Sequence, residues 1–112
     1  MVGLEVENAL LQAGFQVLGV AGTAEEAIDA ARSANPTLVI MDIRLRGRRD
    51  GVDAAIEIYR STGIRSIFAT AHQDQLVRQR AEAARPLGWL SKPYAVGVLV
   101  KLVRDTLASS EG

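Results

Sequence analysis

The sequence predicts an α/β domain in which short parallel strands form a sheet covered by helices on both faces. Three observations carry this. Segments with apolar residues at i, i+3, i+4 and i+7 alternate along the chain with short β-prone runs, the pattern of repeated strand–helix units. The run Leu38-Val39-Ile40-Met41 is continuously apolar, as expected of a central strand buried on both faces. Glycine or proline punctuates the boundaries, and the short connections leave room for right-handed crossovers.

Each element follows in order. Val6, Ala9, Leu10 and Ala13 share one helical face from almost the first residue, and Gly14 stands where a left-handed C-cap ends a helix. Phe15–Val20 reads as a strand. Thr23 with Glu26 forms a capping-box signature for a second helix, whose buried face is Ala24, Ala27, Ile28 and Ala31. That helix must end before Asn35-Pro36, because the residue before proline is pushed out of helical geometry. Leu38–Asp42 is the next strand, followed by a basic loop with Arg44, Arg46, Arg48 and Arg49. Val52, Ala55, Ile56 and Tyr59 make a third helical stripe closed by Gly63. Ile64–Thr70 is a strand, Asp74–Ala84 a helix with a thin stripe (Val77, Ala81, Ala84), and Leu87–Ser91 a last strand. Val96, Leu99, Val100, Val103 and Leu107 give a strongly amphipathic final helix. The domain is expected over residues 1–108, with 109–112 a frayed tail.

Composition narrows the function classes. With 112 residues and 48% apolar content, the chain fits one domain with one real core. Thirteen basic and thirteen acidic residues cancel, so no global field favours nucleic acid or an anionic membrane. The absence of cysteine excludes disulfides, thiolate metal sites and thiol nucleophiles. No apolar run approaches membrane-spanning length and no signal-peptide pattern opens the chain, so a cytoplasmic location is expected.

Asp42, Thr70 and Lys92 stand at the ends of three successive strands. Parallel strands bring their carboxyl ends to one edge, where ligands bind in open α/β sheets. Alone, Asp42 reads as a cap or solvated strand end, Thr70 as a β-branched strand residue and Lys92 as a solvated cation. Together, a carboxylate, a hydroxyl and an ammonium can surround one small anion, and they suit phosphoryl transfer to an aspartate. A hydrolase using Asp42 is disfavoured, since no general base or second catalytic carboxylate accompanies it.

Asp42 closing an apolar strand, Asp50-Gly51 opening the next helix, Phe68-Ala69-Thr70-Ala71 and Lys92-Pro93-Tyr94 together resemble the receiver domain of two-component response regulators. The Phe-Ala-Thr run and the proline-free loop from Arg44 to Gly51 resemble in particular receivers of alphaproteobacterial stress and sensory circuits. The resemblance implies a flavodoxin-like (βα)5 sheet of order 2-1-3-4-5. It implies Asp42 as phosphoacceptor, Thr70 as switch hydroxyl, Trp89 as switch aromatic and Lys92 as the lysine that senses the phosphoryl group. It further implies a cis Lys92-Pro93 bond, and Mg²⁺ held by Asp42, the Arg44 backbone carbonyl and an acidic pair. The implied partners are a histidine kinase or histidine phosphotransfer protein and a downstream protein on the face of residues 74–108. His72, two residues past Thr70, is read as an exposed loop histidine.

The chain departs from the family at its start. The first strand and its acidic pair are missing, and Glu5 and Glu7 lie inside the helix rather than at its entry. With Asp42 as the single carboxylate, Mg²⁺ binding is expected to be weak or absent. The missing strand leaves a gap between Phe15–Val20 and Leu38–Asp42. A shortened start is ranked first among the explanations, ahead of a degenerate receiver and of strand exchange with a second copy. Either self-association as a homodimer or direct pairing of those two strands is expected. The function implied is a phosphorelay receiver, not an enzyme beyond self-catalysed phosphorylation and dephosphorylation of Asp42. The alternative is a phosphorylation-independent pseudo-receiver that acts as an interaction module.

Overall fold

The computed structural model describes residues 4–45, 47–71 and 75–111. Its elements are α1 (Leu4–Gln12), α2 (Ala24–Ala34), β1 (Val39–Asp42), α3 (Gly51–Thr62), β2 (Ser66–Thr70), α4 (Gln75–Ala81), β3 (Gly88–Ser91) and α5 (Val96–Glu111). The strands form a parallel sheet in the order β1-β2-β3. No helix among the described residues is long and apolar enough to cross a membrane.

Side-chain alternation on β2 divides the core into two layers. Phe68 packs with Ile28, Met41, Val52, Ala55 and Ile58, beneath α2 and α3. Its neighbours Ile67 and Ala69 point the other way, onto Val6, Leu10, Leu99 and Val103 of α1 and α5. All five residues of β2 are buried, so β2 is the central strand.

The helix termini follow their sequence signals. Thr23 Oγ1 accepts from the Glu26 N–H at 3.1 Å, and Asn35 ends α2 in the left-handed region. Gly14 and Gly63 close α1 and α3 at φ +95° and +79°, conformations that favour glycine. Asp50 and Asp53 form a reciprocal capping box at the start of α3.

Several expectations are corrected. Phe15–Val20 has no regular secondary structure and joins no ladder, and it does not pair with β1. A strand is defined by its hydrogen-bonded neighbour, and the place beside this segment is taken by a hollow. For the same reason β1 is an edge strand, and Val39 and Ile40 are half-buried rather than enclosed on both faces. In α3 the buried face is Val52, Ala54, Ala55 and Ile58, with Ile56 and Tyr59 only half-buried. The expected Asp74–Ala84 helix resolves into α4 and a 3₁₀ turn, Glu82–Ala84, capped by Arg85 at φ 49°. Helix α5 continues to Glu111, into the segment expected to fray.

Candidate functional site

The three predicted strand-end residues converge. Asp42 pairs in register with Ala69, next to Thr70, and Thr70 pairs with Ser91, next to Lys92. The Lys92 N–H donates to the Thr70 carbonyl at 2.8 Å, extending the β2–β3 ladder by one bond. This holds the lysine at the edge, and its Nζ donates to Asp42 Oδ2 at 2.5 Å. The Arg44 backbone N–H donates to Asp42 Oδ1 at 3.1 Å. Thr70 is buried at 7% exposure. Lys92-Pro93 is cis, as the resemblance implies.

Electrostatics keep Asp42 ionised. Partial burial alone would raise its pKa, but the Lys92 hydrogen bond and charge, with the Arg44 N–H, bring it below the ordinary carboxyl value. The result is an anionic oxygen donor held at a strand end at neutral pH.

Helix α3 seats on the loop just after Asp42. The Gly51 N–H donates to the Ile43 carbonyl at 2.8 Å, and a Cβ on Gly51 would fall 2.0 Å from the Asp42 carbonyl oxygen. Only glycine permits this approach. The Arg80 guanidinium of α4 clasps the same helix end, donating to both Asp50 oxygens at 3.0 and 3.1 Å and to Asp53 at 3.1 Å. Burial pushes the Asp50 pKa up, yet the Arg80 contacts and capping N–H groups take it below the ordinary carboxyl value.

Trp89 is half-buried on β3 and stacks on Phe68, with ring centroids 5.0 Å apart. The Arg78 guanidinium lies 4.7 Å from the centre of its ring. Neither Arg78 nor Arg80 is singled out by sequence reasoning. The Asp50-x-x-Asp53 spacing is legible as a capping box, but nothing local pairs it with an arginine almost thirty residues away.

The basic loop is exposed at Arg44 and Arg48, while Arg46 lies outside the described residues, as do His72 and Asp74. The described residues do not fit a Mg²⁺ site. Both Asp42 oxygens are engaged by hydrogen-bond donors, and no group of three His, Cys, Asp or Glu side chains converges among them.

A parallel sheet wound on both faces, with a carboxylate, a hydroxyl and a lysine at its carboxyl edge, defines a flavodoxin-like α/β signalling domain. The family follows from the match of residues 3–104 to the response regulator receiver domain, and the chain belongs to that family. It is 31% identical over 103 residues to the transcriptional regulatory protein PdtaR of Mycobacterium tuberculosis, a match covering 92% of this chain and 50% of that protein. It is 28% identical to the phyllosphere-induced regulator PhyR of Methylorubrum extorquens, over 84% of this chain and 35% of that protein. The chain thus spans half or less of the length of these relatives. Among solved structures, the signal receiver domain of a modulated diguanylate cyclase from Desulfovibrio desulfuricans matches with a TM-score of 0.86 and 31% identity, covering 98% of this chain and 87% of that one. A CheY-like receiver from Methanospirillum hungatei has a TM-score of 0.87 at 19% identity, over 96% of this chain and 85% of that one, and supports the fold alone. Receivers are the signalling domains of two-component systems. The recognised family and the flavodoxin-like fold agree with the sequence reading.

Proposed function

We propose that Asp42 accepts a phosphoryl group from the phosphohistidine of a histidine kinase or histidine phosphotransfer protein. The observation that carries this reading is the ionised Asp42 carboxylate, bonded to Lys92 beside the end of the Thr70 strand. An Asp42 oxygen attacks phosphorus as the P–N bond breaks, and the imidazole leaves with the bonding electrons and takes up a proton. Lys92 then pairs with the phosphoryl oxygens, the Thr70 hydroxyl hydrogen-bonds one of them, and Trp89 responds as Thr70 moves. The downstream partner binds a face built from α4, β3 and α5; Leu76 of α4 and Val98 of α5 are 75% and 55% exposed. The domain does no chemistry beyond forming and losing its own aspartyl phosphate, and it works in the cytoplasm.

The donor set at Asp42 favours a second reading. Mg²⁺ is typical of receivers, and a domain in which no further carboxylate joins Asp42 as a ligand is phosphorylated slowly and acts by binding alone. The two readings separate on Trp89, the single tryptophan. Its fluorescence is followed during titration with Mg²⁺ and beryllofluoride, in the native chain and in Asp42→Asn. A saturable change in the native chain that Asp42→Asn abolishes supports the phosphoswitch. An identical trace in both, with unchanged affinity for a captured partner, sinks it in favour of the interaction module.

A further inference from the structure

We propose that Arg80 is a brake on α4, gripping the acid pair that caps α3 and so holding the helix closed against a hinge at Glu82–Ala84. The brake needs no phosphoryl chemistry and does not rest on the phosphoacceptor reading. The hinge end of α4 is fixed from two sides. Ala81 and Ala84 are fully buried in the core cluster that contains Phe68 and Ile58. Arg85 then closes the 3₁₀ turn in the left-handed region at φ 49°, and its N–H donates to the Glu82 carbonyl at 3.0 Å. Arg65, just before β2, donates from Nε to the Arg85 carbonyl at 2.6 Å and from Nη2 to the Pro86 carbonyl at 3.4 Å. The chain therefore leaves the turn tied to the sheet.

The rest of α4 has little apolar attachment. It is seven residues long, a length at which a helix is unstable on its own. Gln75, Leu76, Arg78 and Gln79 are exposed, and Val77 is half-buried against the core. Charge takes the place of burial. Arg80 Nη1 donates to Asp50 Oδ2 at 3.1 Å, while Nη2 donates to Asp50 Oδ1 at 3.0 Å and to Asp53 Oδ1 at 3.1 Å. A flat guanidinium matches two carboxylate oxygens at once, which an ammonium cannot do. Arg78, over the Trp89 ring, is a second hold on the same helix.

The grip acts on α4 rather than on α3. Asp50 and Asp53 already accept each other's backbone N–H groups, so the start of α3 is capped without Arg80. Gly51, Val52, Ala54 and Ala55 root that end in the core. A fixed anchor is thus tied to a loosely packed helix, and the tie lies partly in water: the side chains of Arg80, Asp50 and Asp53 are 47%, 33% and 41% exposed. Such a pair can open without unpacking the core, and salt weakens it. The contact of Glu57 with Arg49, at 3.8 Å, ties α3 to the loop before it and has no hold on α4.

The test follows amide exchange in the full chain. Gln79 and Ala81 lie in the last turn of α4, and Ile67 and Ala69 report the central strand. In the native chain the α4 amides exchange faster than those of β2 by about tenfold or more, because α4 opens by itself. Arg80→Gln accelerates Gln79 and Ala81 a further fivefold or about that, the worth of a partly exposed pair. Asp50→Asn keeps a good N-cap and gives the same acceleration, and the double variant adds little to either one. Arg80→Lys, which has the charge but not the fork, falls between. Raising salt from about 0.01 to about 1 M shortens the screening length from about 30 to about 3 Å; this accelerates α4 exchange in the native chain and not in Arg80→Gln. Arg49→Gln is the control and leaves α4 exchange unchanged. Exchange of α4 at the β2 rate would mean that the helix opens only with the whole fold, and unchanged Gln79 and Ala81 in Arg80→Gln would mean that the pair holds nothing. Either result overturns the proposal. Because Asp42 enters no readout, failure here leaves its phosphoacceptor role standing, and failure of that role leaves the brake standing.

Discussion

Gly51→Ala tests how the phosphoacceptor loop is held. The added Cβ would lie 2.0 Å from the Asp42 carbonyl oxygen, 2.8 Å from its carbon and 2.8 Å from the Ile43 Cα. All three are backbone atoms, so no side chain can rotate away. Relief requires α3 to lift by about an ångström, which stretches the 2.8 Å bond from Gly51 to Ile43. Overpacking costs about 1–3 kcal/mol and a lost hydrogen bond about 1 kcal/mol, while alanine returns at most about 1 kcal/mol of helix propensity. The balance is a destabilisation of about 1–3 kcal/mol, read in urea as a midpoint lowered by roughly 1–2 M. Gly97→Ala is the control, because nothing lies within 4 Å of its Cβ. It is expected to be neutral or to stabilise by up to about 1 kcal/mol. If Gly51→Ala unfolds within about 0.5 kcal/mol of the native chain, smaller than the cost of even modest overpacking, the close seating of α3 on Asp42 is wrong.

Two further predictions concern buried and paired polar groups. Ser66 Oγ is buried with no hydrogen-bond partner among the described residues. Ser66→Ala should therefore be neutral or stabilise by about 1 kcal/mol; a loss of more than that in urea unfolding would show that the hydroxyl is bonded. Arg80 and Asp50 should couple by about 1 kcal/mol in a double-mutant cycle, since the pair is bidentate but partly exposed. The folded pKa of Asp50 lies below its ordinary value of 3.8, so its contribution is complete above that value and is lost as pH falls through the folded pKa. Arg80→Gln should flatten this acid dependence, and an unchanged slope would refute the ion pair.

Local chemistry accounts for what the sequence made legible. Thr23, Asp50, Gly14 and Gly63 act within one turn of their own position, and each sits at the predicted helix end. Asp42, Thr70 and Lys92 could be grouped because parallel topology alone sends strand ends to one edge. Phe15–Val20 fails by the same logic: its residues are β-prone, but a ladder needs a neighbour that local sequence cannot supply. The expected stripe on α3 holds at Val52 and Ala55 but extends to Ala54 and Ile58 rather than to Tyr59, because a thin helical pattern fits two adjacent faces and the cluster around Phe68 selects the one containing Ile58. Arg78 and Arg80 were illegible for a different reason. Their partners lie on other elements, and exposed arginines on a helix carry no mark of what they will reach.

Those two arginines connect the site to the proposed docking face. From Asp42, one route runs through the Ile43–Gly51 contact to the capping box of α3 and then to Arg80. The other runs through Lys92 along β3 to Trp89 and Arg78. Both end on α4, a seven-residue helix whose only buried residue is Ala81. Its attachment thus depends heavily on an ion pair and a cation–π contact, each worth about 1 kcal/mol at a partly exposed site. A conformational equilibrium moves only by the difference in free energy that a perturbation makes between its states. With so little apolar anchorage on α4, a change of charge at Asp42 that redirects Lys92 need supply only a few kcal/mol to reposition it. The rest of the sheet is held by burial, which is insensitive to charge. On the proposed phosphoacceptor reading, this helix is the element through which a modification at one strand end is read on the outer surface.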